Sequence, residues 1–207
     1  MLHVILLAQL AVTSSNVSVL DAPRTVPFDT TIAVTRLSGV ALNLEAGGRV
    51  RIVGADTTRA VHVQVTDRGK RCADCIVAVS QVQNAISVRT GRARTPGELT
   101  DLQIQVDVPT QTNILLTSAG GQVEIEGIDG FVSGTTESGG LQLLRLSGAI
   151  KLETKRGDVT LRQSYVRGSV HTSDGRVLLE DVGGDVQGTS SKGRVTERRV
   201  ERAATAP

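Results

Sequence analysis

Aromatic side chains are nearly missing from this chain. Its 207 residues include two Phe, one Tyr and no Trp, so it has few flat faces on which bases could stack, and single-stranded nucleic acid is disfavoured as a partner. An excess of one charge is missing too. The formal net charge is only +2, which makes no case for a nucleic-acid or acidic-membrane partner. Histidine is confined to His3, His62 and His171 and cysteine to Cys72 and Cys75, a poor supply for a four-ligand zinc site. No G-x-S-x-G elbow accompanies His171, and the SGG, AGG and VGG segments lack the Lys-Ser/Thr of a phosphate-binding loop. The expectation is a protein with no catalytic, cofactor-binding or metal-binding residues, and no enzymatic activity.

Long apolar runs are absent except at the start. Leu2 to Val12 is apolar and is followed by small residues at Thr13–Ser15. The run is too short to span a bilayer as a helix and has the length of a signal-peptide core, although no Lys or Arg precedes it. This predicts a signal peptide over residues 1–15 and a mature protein in the periplasm or at the cell surface. The alternative is a buried first strand. Cys72 and Cys75 stand in GKRCADCIV. A zinc site, a thioredoxin-like pair, a local disulfide and two unpaired thiols all compete there. The disulfide best fits an exported protein, and no helical pattern follows to support a redox motif.

What the chain does contain is a repeat. SAGGQVEI at 118, TESGGLQL at 136, TKRGDVTL at 154, TSDGRVLL at 172 and SSKGRVTE at 190 follow one another every 18 residues. Ser118, Thr136, Thr154, Thr172 and Ser190 share a hydroxyl, and Gly121, Gly139, Gly157, Gly175 and Gly193 stand three positions on. Val123, Leu141, Val159, Val177 and Val195 follow, then Ile125, Leu143, Leu161 and Leu179, with Glu197 breaking the pattern. Before each motif come Ile114, Val132, Ile150 and Val186, with Gly168 as the exception.

Alternating aliphatics mean strands with one face inward. A glycine at fixed phase means a turn with positive φ, or backbone too close to a neighbour for a side chain. Such units stack at about 4.8 Å into a β-solenoid, and several must stack before burial outweighs ordering entropy. The predicted fold is all-β: a single-stranded right-handed parallel β-helix of about 18 residues per coil, the hand following from the crossover preference. A β-sandwich is the rival, but it does not require Gly and Thr to return at one spacing.

The front of the chain reads as a degraded version of the same pattern. GRVRIVGAD at 48–56 matches GQVEIEGID at 121–129 with an offset of 73. Residues 16–197 are therefore expected to form one solenoid, regular over 113–197 and with longer loops in the irregular coils of 28–112. TDRGKRCADC and RTGRARTPGELT are the expected loops, and 198–207 is a cap or flexible tail. Flanking the glycines, Arg156, Asp174 and Lys192 alternate in sign, as do Asp158, Arg176 and Arg194 in part. Stacked, they form an exposed ion-pair ladder in preference to a catalytic cluster of Asp158, Asp174 and Arg176.

VDVPTQTNILLTSAGGQVEIEGIDG, GAIKLETKRGDVTL and GSVHTSDGRVLLEDVGGDV together resemble the bacterial putative-adhesin family, related to the head-GIN domain. Val106, Val108 and Pro109 fill that family's lead-in strand, and the five copies fill its coils. The resemblance covers roughly 100–197 well and 28–100 more loosely. It implies a right-handed β-helix, export and a non-catalytic role toward an unidentified cell-surface, envelope or glycan ligand. The CADC loop and the lack of a visible anchor after the repeats depart from it. The alternatives are a polymer-forming scaffold resembling bactofilins and, behind it, a glycan-cleaving β-helix enzyme.

Overall fold

The computed structural model describes residues 24–34, 38–56, 59–67, 72, 74–92 and 100–201. The segment expected to be a signal peptide lies outside the described residues. Everything regular in them is β-structure. Strands β1 (Arg24–Thr25), β2 (Phe28–Ala33), β3 (Gly39–Leu44), β4 (Arg49–Ala55) and β5 (Ala60–Asp67) come first. Next are β6 (Cys75–Val82), β7 (Ala85–Arg92), β8 (Leu102–Pro109) and β9 (Asn113–Ser118). The repeats supply β10 (Val123–Glu126), β11 (Asp129–Thr136), β12 (Leu141–Leu144) and β13 (Ser147–Arg156). The chain closes with β14 (Val159–Asp174), β15 (Val177–Gly183), β16 (Val186–Ser190) and β17 (Val195–Glu201).

Over the repeats these strands pair in parallel with the equivalent strands of the neighbouring repeats. One ladder runs β3–β9–β11–β13–β14–β16, placing Val40, Ile114, Val132, Ile150, Gly168 and Val186 in a row. The other runs β8–β4–β10–β12–β14–β15–β17, with Val50, Val123, Leu141, Val159, Val177 and Val195 in line. β14 passes through both ladders, so all 17 strands belong to one hydrogen-bonded sheet. The buried faces of the two ladders share one hydrophobic cluster, in which Leu44, Val50, Ile52, Leu116, Val123, Ile125, Leu152, Val159 and Leu161 are all 0% exposed.

The pairing of Val50 with Val123 bears out the internal match with the 73-residue offset. β3 with β7 and β4 with β8 are parallel too, but other parts of the front differ from the expected solenoid. Residues 28–112 contain antiparallel pairs, β6 with β7 and β5 with both β2 and β8, and β1 just before them pairs antiparallel with β6. For β6 and β7 the physical reason is local. Gln83 at φ 53° turns β6 straight back into β7, and a two-residue turn of this kind joins only antiparallel strands. Part of RTGRARTPGELT, expected as a loop, is the end of β7. The expected cap also differs, because β17 continues to Glu201 and pairs in parallel with β15.

Two of the repeat's phases now have a cause. A Cβ on Gly121 would stand 1.9 Å from the carbonyl oxygen of Gly48, and one on Gly139 1.9 Å from that of Gly121. The same contact would be 2.1 Å at Gly157, 2.1 Å at Gly175 and 1.8 Å at Gly193. Gly121, Gly139 and Gly157 also have φ of 97°, 100° and 144°. Only hydrogen can occupy that place. The hydroxyl column serves the same corner. Thr172 Oγ1 donates to the Gly157 carbonyl at 2.8 Å and Ser190 Oγ to that of Gly175 at 2.7 Å. Thr136 bonds Thr154 at 2.8 Å.

Two rows escaped the sequence reading. Ile128, Leu146, Ser164 and Val182 form a further buried row, in which Ser164 is tolerated because it donates to the Arg162 carbonyl and accepts from the Leu146 amide. Beside it, Gly127, Arg145, Gln163, Asp181 and Arg199 all take left-handed backbone, with φ between 48° and 68°. Their side chains share no chemistry, so the sequence carries no signal for this turn.

Two stability outcomes follow. Gly157→Val is expected to destabilise by on the order of 2 kcal/mol, and an unchanged thermal melt would contradict the corner contact. Thr90 sits on the hydroxyl row beside Leu44, and its buried Oγ1 has no hydrogen-bond partner among the described residues. Thr90→Val keeps the shape and removes that hydroxyl, and is expected to stabilise by up to about 1 kcal/mol. A lower melting temperature would show that the hydroxyl is satisfied.

Candidate functional site

An inward-facing aliphatic at every second position leaves the alternate side chains outside, and most of those are polar. Tyr165 and Val82 are exposed singly, at 65% and 55%, whereas on the outer face of β3, β9 and β11 exposed apolar residues come together. Register sets Ala41 beside Leu115, and Leu115 beside Ser133. Phe131 follows the Asn113 position by one repeat. Leu115 is 56% exposed and Phe131 46%, although both are large and apolar. With Gly39, Ala41, Ala85 and Ser133 they line an open groove of about 310 Å³. Small residues on β3 and β7 make its floor shallow, and Leu115 and Phe131 make its wall.

The side chains of Asn113 and Ser38 at this groove are already engaged. Asn113 donates through Nδ2 to the Ser38 carbonyl at 2.9 Å, and its Oδ1 accepts from the Phe131 amide at 2.9 Å. Ser38 donates to the Asn84 carbonyl at 2.9 Å. Asn113 thus clasps the first regular repeat to the front of the chain and leaves the groove an apolar lining. Such a surface can hold an apolar group by exclusion of water. Sequence reading missed it. Phe131 and Leu115 look like ordinary strand residues until the register places them side by side and outward.

The candidates from the sequence are scattered by comparison. Asp158 and Arg176 do pair across one repeat, Nη2 to Oδ2 at 2.7 Å, and Asp158 also accepts from the Arg176 amide at 2.8 Å. These hydrogen bonds hold the Asp158 carboxyl below its ordinary range. Arg156 stands opposite Asp174 in register, but no ion pair joins them among the described residues. Further ladders lie on the second ladder's outer face. Glu180 bonds Arg162 at 2.9 Å and reaches Arg198 and Arg199 at 3.8 Å. Glu126 links Arg51 at 3.1 Å with Arg145. These pairs follow the stacking and converge on no common point.

His171 is held by hydroxyls. Its Nδ1 lies 2.8 Å from Thr189 Oγ1 and its Nε2 3.5 Å from Ser191 Oγ, an arrangement without the carboxylate that would orient it as a base. Cys72 and Cys75 have Cα atoms 5.3 Å apart, with their sulfurs at bonding distance. No group of three or more His, Cys, Asp or Glu suited to a metal ion occurs among the described residues.

Because Leu115 and Phe131 are exposed, replacing both with Ser should leave the melting temperature close to wild type. The same variant should lose most of the fluorescence of a surface-binding apolar dye. Undiminished dye fluorescence would place the protein's apolar surface elsewhere.

Comparison with known proteins was made by sequence and by structure. No protein-family profile and no curated protein sequence matches the chain. Among solved structures, a putative cell adhesion protein from Clostridium sporogenes is similar at 11% identity and a TM-score of 0.34, covering 85% of this chain and 95% of its own. A putative adhesin from Bacteroides fragilis is similar at 13% identity and a TM-score of 0.37, covering 84% and 94%. A putative lipid binding protein from Parabacteroides distasonis is similar at 11% identity and a TM-score of 0.27, covering 86% and 96%.

Proposed function

We propose that this chain is an exported, non-catalytic binding module built as a right-handed parallel β-helix, and that it holds an apolar group of an envelope or cell-surface molecule in the groove beside Phe131. The observation that carries the reading is the contrast on the outer surface. Charges elsewhere pair along the stack, as Arg162 does with Glu180 and Arg176 with Asp158, whereas Leu115 and Phe131 stay exposed together with nothing covering them among the described residues. The parallel register at 18 residues supports the β-helix, and the right hand rests on the crossover preference. Export rests on the apolar run Leu2–Val12 and on the Cys72–Cys75 pair, which an oxidising compartment would keep bridged.

Among the described strands, a polymer-forming scaffold would have to accept another copy against β17. In β17, Glu197 stands in register with Leu179 of the buried row, and Arg198, Arg199 and Glu201 follow. An inward-phase charge on this strand resists addition of a further strand against it.

The test uses native cell fractions. A periplasmic or surface species shortened by about 15 residues, with no free thiol, is expected by intact mass. Purified protein should sediment with cell envelopes, and the Leu115→Ser, Phe131→Ser double variant should not. A full-length cytoplasmic species would overturn export. Equal sedimentation of the two proteins would overturn the groove.

A further inference from the structure

At the front of the second ladder, two carboxylates close on one imidazole. His62 lies on the outer face of β5, directly opposite Asp107 of β8 on one side and Thr31 of β2 on the other. Asp29 of β2 stands opposite the next outward residue, Gln64. His62 Nδ1 is 3.2 Å from Asp107 Oδ2, and Nε2 is 2.8 Å from Asp29 Oδ1. Gln64 donates to the other Asp29 oxygen at 3.0 Å, and Gln105 to Asp107 at 3.2 Å. From β4, Arg51 faces the cluster opposite Gln105 and is itself paired with Glu124 and Glu126.

Proton counting makes this arrangement conditional. An ionised carboxylate only accepts hydrogen bonds, and a neutral imidazole has a single N–H. Neutral His62 can therefore satisfy one of its two partners and must turn a lone pair toward the other. Imidazolium satisfies both, with charge-assisted bonds. The strand at stake is the weakly held one. Among the described residues β2 pairs with β5 alone, and its inward Phe28 and Ile32 are 8% and 9% exposed, the least covered of the core.

We propose that His62 is a proton-operated latch that fastens the edge strand Phe28–Ala33 to the sheet and loosens it as pH rises. The hydrogen bonds to Asp29, then Asp107, raise the His62 pKa above its ordinary value, and the bond from His62, then that from Gln64, holds Asp29 below its own. A raised imidazole pKa stabilises the fold in full below the unfolded value, near about 6.5, and that contribution is lost as pH rises through the folded value. The depressed Asp29 acts the other way, stabilising above the ordinary carboxylate value and losing its effect as pH falls through the depressed one. The latch is therefore closed in the mildly acidic window between them and opens on the alkaline side.

The experiment is an NMR pH titration of the His62 ring combined with amide exchange in β2, corrected for intrinsic rates, with β12 as the internal reference. His62 should titrate above a free imidazole. The open-to-closed ratio of β2 should climb by up to about tenfold per pH unit across that range, while β12 stays flat. His62→Gln should abolish this dependence, and Asp107→Asn should move the imidazole midpoint downward. A ring titrating at or below the free value overturns the latch, and needs only the wild-type protein. So does β2 exchange that ignores the midpoint or behaves identically in His62→Gln.

Discussion

The constraint on which the rest depends is the approach of backbone to backbone at the glycine corner. The carbonyl oxygen of one repeat stands where the Cβ of the next would be, 1.9 Å from it at Gly139 and 2.1 Å at Gly157. With that contact the strands before and after the corner can both keep parallel hydrogen-bond spacing through successive repeats. Without it one ladder would have to open for the other to close. The hydroxyl three residues earlier reinforces the same point, since Thr172 and Ser190 bond the corner carbonyls below them. Aliphatic burial then supplies most of the favourable energy, but it acts on a register that the corner has already set.

Periodic stacking also shapes what the surface can do. A charge that recurs at one phase meets its neighbour one repeat away, which produces ladders such as Arg162–Glu180–Arg198. Such ladders are spread along the stack, and the shallow pocket they do line, beside Asp158, Arg176 and Arg198, is edged by charges that already pair. Distinct sites arise where the period is broken. The apolar groove lies where the first regular repeats meet the front of the chain, and the histidine bridge lies where antiparallel strands close the second ladder. Both are products of the irregular front.

The repeats were legible because a one-residue period error would turn a whole strand inside out, so aliphatic, glycine and hydroxyl phases are held tightly. The antiparallel front was not legible. VHVQV and LQIQVDV alternate equally well whether their partners run parallel or antiparallel, and the sense of pairing is set by which distant segments meet, as where β5 lies antiparallel to both β2 and β8. The left-handed row from Gly127 to Arg199 was invisible for a different reason. Backbone geometry there is imposed by the strands on either side, so Arg, Gln and Asp all accept it. The groove could not be found because outwardness and adjacency are properties of register, and the 74 residues from Ala41 to Leu115 that bring the two together pass through several other strands.

By itself, the sequence determined the 18-residue spacing, the inward residues of the regular repeats and the places where only glycine fits. Those are local demands, each met within one repeat and its neighbour. Tertiary structure alone decided which way the front strands run, which apolar residues stay outside and which carboxylates meet His62. Those outcomes depend on long-range pairing between segments such as Asp29 and Gln64 or His62 and Asp107, and no local preference of a residue specifies a partner that far along the chain.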